Sequence, residues 1–78
     1  MNKLPLYSSD EIINALIRGG FEIARKSKGS HQTLKRPRPE GGTDVTVVTI
    51  GKKEVPRGTF KNILRLANVD IDDFLDWL

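Results

Sequence analysis

Seventy-eight residues, with 37% hydrophobic and 29% charged content, make one small domain expected to span 1–78. A domain of this size buries only about 60% of its unfolded surface, which excludes a large enclosed active-site cavity and leaves chemistry to an open face. The absence of cysteine removes a disulfide framework, a thiolate nucleophile and the usual zinc-finger ligands, and the formal charge of +3 is too small to imply a partner by itself.

The chain opens on Met1-Asn2-Lys3-Leu4-Pro5, which has no apolar run that would serve as a leader, and no later stretch has membrane-spanning length. The expectation is a soluble, cytoplasmic protein. Ser8-Ser9-Asp10-Glu11 then gives a helix start: Ser8 caps, Glu11 closes a capping box, and Asp10 complements the helix dipole. Ile12, Ile13, Leu16 and Ile17 share one face at helical spacing, with Ala15 beside them, and Gly19-Gly20 stops the helix.

A strand is predicted over Phe21–Ser27, with Phe21 and Ile23 alternating with Glu22. Lys28-Gly29-Ser30 forms a turn, and His31–Arg36 is a second strand. Period-two geometry places His31, Thr33 and Lys35 on one face and Gln32, Leu34 and Arg36 on the other. Leu34 turns its face to the core, so His31 and Lys35 share the solvent face. Pro37 to Asp44 reads as a flexible hairpin loop, because its prolines and glycines do not continue a strand.

The Val- and Thr-rich stretch Asp44–Ile50 is the third strand, followed by a turn at Gly51-Lys52-Lys53-Glu54. A second helix begins around Pro56-Arg57-Gly58-Thr59, buries Phe60, Ile63, Leu64 and Ala67, and ends at Asn68. Asp70 caps a short final helix with Ile71, Phe74, Leu75 and Leu78 at apolar spacing, and Trp77 is assigned to packing. The order is α-β-β-β-α plus a short C-terminal helix. Short connections imply an α+β fold with a three-stranded antiparallel meander, both main helices on one face and the other face open.

The charge is strongly segregated. Up to Val69 thirteen bases meet six acids, a net +7, while the last nine residues add four acids and no base, a net −4. Ala24 to Arg38 holds Arg25, Lys26, Lys28, Lys35, Arg36 and Arg38 and no acid, the footprint of a polyanion binder or of a merely solvated basic surface. His31, the only histidine, lies within this stripe. An imidazole is the side-chain type suited to proton transfer near neutral pH. A neutral imidazole beside Lys or Arg is equipped to cut RNA without a metal or other cofactor: the ring draws the proton from a ribose 2′-OH, and the cations stabilise the charge that develops on phosphorus. A bystander surface histidine is the bland alternative. Gly29 allows close approach of a phosphate and Ser30 can donate to it, although Gly-Ser also suits an ordinary turn. The single histidine and missing cysteines leave no set of metal ligands, and the acids at Asp70, Asp72, Asp73 and Asp76 lack the order of a calcium loop.

Gly19-Gly20-Phe21 after an amphipathic helix, Arg25-Lys26-x-Lys28-Gly29-Ser30-His31, and Pro56-x-Gly58-Thr59-x-x-x-Ile63-Leu64-x-x-Ala67 together resemble the HicA toxin family of mRNA interferases, from about Asp10 to Leu78. The resemblance implies a double-stranded-RNA-binding-domain-like fold, ribosome-independent mRNA cleavage and growth arrest. It also implies a HicB-like antitoxin that covers His31, with oligomers forming only through the antitoxin complex. On this reading His31 is the catalytic residue, and Arg25, Lys26, Lys28, Gly29, Ser30 and Lys35 bind the single-stranded RNA. Family members commonly carry a second histidine at the end of the third strand, in a Val-Pro-x-His-like run. Here Val47-Val48-Thr49-Ile50 has neither that proline nor that histidine. A non-catalytic RNA-binding module of the same fold is the alternative, and a protein that only docks an acidic partner is a third class.

Overall fold

A computed structural model describes residues 5–78, apart from the side chains of residues 26–28. The N-terminal residues 1–4, read above as free of a leader, lie outside the described part. Six elements follow in order: α1 (Ser9–Arg18), β1 (Glu22–Lys28), β2 (His31–Pro37), β3 (Thr43–Thr49), α2 (Arg57–Ala67) and α3 (Ile71–Trp77). The strands form one antiparallel sheet in the order β1-β2-β3. No helix among the described residues is long and apolar enough to cross a membrane.

The capping box forms as the sequence predicts. The Ser8 hydroxyl accepts from the Glu11 amide at 3.1 Å, and the Glu11 carboxylate accepts from the Ser8 amide at 2.9 Å. Ile12, Ala15 and Leu16 are fully buried, whereas Ile17, expected on the same face, is 44% exposed. The stripe that meets the core is narrower than the run of apolar residues. The two glycines that end α1 serve different purposes. Gly20 takes a φ of +102°, which ends the helix, while Gly19 makes room for a neighbour: a Cβ there would lie 2.4 Å from the Trp77 ring.

Phe21 is buried but belongs to the exit from α1, its amide bonding to the Leu16 carbonyl at 2.9 Å, so β1 starts one residue later than expected. Ile23 does not join Phe21 in the core and is 45% exposed. The helices pack mainly over β3, so the helix-side face of the β1 edge is left uncovered. Two register shifts interrupt β1, between Ile23 and Arg25 and between Arg25 and Lys28. The buried Gln32 amide steadies the first, donating to the Arg25 carbonyl at 2.6 Å and to the Thr33 carbonyl at 3.0 Å. The strands also reach further into the hairpin than expected, since Pro37 pairs with Thr43 and the loop shrinks to residues 38–42. Proline is tolerated there because it stands at a strand end, where a ladder donor is dispensable.

Above the sheet, Tyr7, Phe60 and Phe74 form an aromatic triad with ring centroids 4.9–5.3 Å apart. It joins Leu34, Val48, Val55, Ile63 and Ala67 in one core. The buried Thr46 hydroxyl donates to the Ile63 carbonyl at 2.8 Å and fixes α2 over β3. Asn68 ends α2 with a left-handed φ of +56°. Asp70 stands at the N-cap position of α3 but makes no side-chain cap bond. Phe74 is fully buried and Trp77 half-buried, but Leu75 and Leu78, expected at the apolar seam, are 39% and 47% exposed. A helix of 7 residues has room to bury only one narrow seam.

Candidate nucleic-acid interface

The open face of the sheet follows from register. Across β2, His31 stands opposite Thr49, Thr33 opposite Val47 and Lys35 opposite Val45 on β3. On the other side Lys35 pairs with Glu22, Thr33 with Arg25 and His31 with Lys28 on β1. Paired residues of an antiparallel ladder share a face. Gln32 and Leu34, on the opposite face, are buried, as the alternation predicts. Val45 and Val47 are 47% and 38% exposed, so an apolar strip runs down the open face beside the polar groups.

His31 is the first residue of β2 and is exposed. Its Nδ1 lies 3.4 Å from the Ser30 hydroxyl, a long contact, and Nε2 has no protein partner among the described residues. Gly29 holds a φ of +69° with open space where a Cβ would be, so the turn before His31 needs glycine for its backbone rather than for clearance. Arg25 is exposed, stands across from Thr33 and has no ion-pair partner among the described residues. The side chains of Lys26 and Lys28 lie outside the described residues, although both positions are in β1. Lys35 shares the face with His31 but stands four residues along the strand, about 13 Å away at ~3.3 Å per residue. It also lies 4.0 Å from the Glu22 carboxylate, with both side chains about half exposed or more, a pair of little energetic weight. The site therefore has two parts, a corner of Gly29, Ser30 and His31, and two cations further along the face, Arg25 across from Thr33 and Lys35 beyond it.

Two members of the basic stripe are occupied elsewhere. Asp44, whose side chain is only 3% exposed, accepts from Arg38 Nε at 2.8 Å and lies 3.4 Å from an Arg36 terminal nitrogen. Arg36 also donates to the Gly19 carbonyl at 3.2 Å and stacks over the Phe21 and Trp77 rings, 4.6 and 5.8 Å from their centroids. The stretch from Ala24 to Arg38 contains no acid in sequence, yet folding back at residues 38–42 brings Asp44 onto it. Arg36 and Arg38 hold the hairpin and the exit from α1 together.

The corner also draws in residues that the sequence does not associate with His31. The Ile50 amide donates to the Ser30 carbonyl at 2.8 Å, bringing the turn of residues 51–54 alongside His31 with Lys52 and Lys53 exposed. Buried Ser9 secures this arrangement: its hydroxyl donates to the Thr49 carbonyl and accepts from the Lys52 amide at 3.1 Å. Nothing in the Ser8-Ser9 pair announces that the first serine caps the helix while the second ties down the end of β3. Ser9→Ala leaves that carbonyl and amide without their buried partner, and should lower unfolding stability by about 1–3 kcal/mol in urea titration. An unchanged midpoint would show that the tie is dispensable.

No three His, Asp or Glu side chains among the described residues come together as a metal site. An exposed imidazole with one free nitrogen, a glycine turn and nearby cations can accept a proton beside a bound phosphate. No curated protein matches the chain. One family model, described as HicA toxin of bacterial toxin-antitoxin, matches residues 9–69.

Proposed function

Because the chain belongs to the HicA toxin family and is thus the toxin of a toxin–antitoxin pair, we propose that it is a metal-independent endoribonuclease of the cytoplasm that cleaves mRNA at the His31 corner. The carrying observation is that the chain's only imidazole is solvent-exposed on the open face, with no partner at Nε2 among the described residues. In this reading Nε2 takes the proton of a ribose 2′-OH. The 2′ oxygen bonds to the adjacent phosphorus, the bond from phosphorus to the 5′ oxygen breaks, and that oxygen takes a proton from solvent water at the exposed site, while the imidazolium returns its own proton to solvent. The products are a 2′,3′-cyclic phosphate and a 5′-hydroxyl. The Gly29 turn admits the phosphate, the Ser30 hydroxyl positions it, and Arg25, Lys26 and Lys28 stabilise the charge that develops on it. Lys35 contacts a phosphate further along the single strand.

A HicB-like antitoxin is the proposed partner. The Val45–Val47 strip, across from Lys35 and Thr33 on the face that carries His31, offers it an apolar footing, so that a partner extending along that face covers the imidazole and oligomers arise only through the complex. One observation favours the second reading, a non-catalytic RNA-binding module: Thr49, in the stretch where family members carry a second histidine, stands directly opposite His31 and offers no group that titrates near neutrality. Incubation of the purified protein with single-stranded RNA in EDTA separates the two. Shortened RNA supports the enzyme, and retarded but intact RNA supports the binding module.

A further inference from the structure

The unneutralised positive charge of the described residues continues beyond the open face. Lys52, Lys53 and Lys61 are exposed, and none has an ion-pair partner among the described residues, in contrast to Lys35, Arg36 and Arg38. Lys61 belongs to α2, whose 11 residues include Arg57, Lys61 and Arg65 and no acid. Their spacing of four puts all three on one exposed stripe about 12 Å long, at ~1.5 Å rise per residue.

This arrangement works against the helix that carries it. Like charges four residues apart disfavour a helix. Arg57 stands in the first turn, at the positive end of the dipole, and Pro56 at the N-cap position supplies no side-chain bond. The helix is held by tertiary contacts, Phe60, Ile63, Leu64 and Ala67 in the core and the Thr46 bond to the Ile63 carbonyl, so its outer face is free to carry charge.

The stripe connects to the His31 corner through the chain. Ser30 bonds to Ile50, the turn of residues 51–54 follows, and α2 starts at Arg57 and runs back over β3. A strand of RNA leaving the corner around the end of the sheet meets Lys52 and Lys53, and then α2. A stripe of about 12 Å matches three or four phosphates of a stacked strand at ~3.4 Å each. We propose that Lys52, Lys53 and the exposed face of α2 form a second phosphate track, which holds the RNA that flanks the cleaved bond. This rests on the reading of the chain as an RNA-cleaving toxin.

The test uses the full chain carrying His31→Ala, so that binding is measured without cleavage, with and without Lys61→Gln and Arg65→Gln. Both residues are exposed on α2 and outside the His31 corner, and circular dichroism checks that the fold is kept. For a long single-stranded RNA, the two substitutions should weaken binding and lower the slope of log affinity against log salt by about 1.4, roughly 0.7 for each lost phosphate contact. Binding of a tetranucleotide, too short to occupy both surfaces, should change less than twofold. Unchanged affinity and slope for the long RNA would overturn the track. So would retained RNA affinity with lost antitoxin binding, which would make the stripe a protein-docking surface. Cleavage is read separately with His31 intact: if neither protein shortens RNA, the enzymatic reading fails while the salt slopes still decide the track.

Discussion

Replacing His31 with alanine should reduce RNA cleavage by about 100- to 10,000-fold, the usual range for removal of a proton-transfer group, and relieve growth arrest. Folding should survive, because the side chain is exposed and its one polar contact among the described residues is the Ser30 hydroxyl at 3.4 Å. The β2 ladder bonds through the backbone and does not depend on the ring. The comparison requires purified proteins with matching circular dichroism and melting temperature, assayed on the same RNA. A His31→Ala protein that cuts at the wild-type rate would remove the imidazole from the mechanism. Cleavage would then proceed through groups other than the chain's only imidazole.

The largest effect on stability is expected at Phe74. Its ring is fully buried against Tyr7 and Phe60, at centroid distances of 5.3 and 4.9 Å, and it is the only residue of α3 that is completely buried. Phe74→Ala removes the aromatic contacts and leaves a cavity that the short helix is poorly able to collapse, a loss of about 3–5 kcal/mol. Total stability for domains is about 5–15 kcal/mol, and a chain of this size stands toward the lower end. A substantial unfolded fraction at moderate temperature is therefore expected. Trp77, the only tryptophan, packs at Gly19 and near Arg36, so its fluorescence reports α3 directly in a urea titration. A wild-type midpoint in the variant would mean that α3 adds little to the core.

Local signals carried most of the architecture. The Ser8–Glu11 capping box, the alternation of Gln32 and Leu34 against His31 and Lys35, and the Val/Thr-rich third strand each encode their structure within a few residues. Three of the misses are cases in which a distant element decides. Ile23 alternates like a core residue, but no helix covers its edge of the sheet. Gly19 looks like a helix stop, yet its small size is used by Trp77 from the far end of the chain. The basic stripe looks unopposed until Asp44 folds onto Arg36 and Arg38. The candidate site divides in the same way. His31, Gly29 and Ser30 are contiguous and could be read together, whereas Lys52 and Lys53 join them only through the Ser30–Ile50 bond and the Ser9 tie. Lys35 was legible as a residue of the same face, but its ~13 Å separation from His31 follows only once the strand is seen to be unbroken between them.

The central claim is that His31 begins cleavage by deprotonating a ribose 2′-OH. The chemistry of the product ends tests it most directly. Purified protein and single-stranded RNA, incubated in EDTA, should give fragments with 2′,3′-cyclic phosphate and 5′-hydroxyl ends, and the His31→Ala protein should give none above background. Intact RNA with the unsubstituted protein, or fragments bearing 5′-phosphates, would contradict the account.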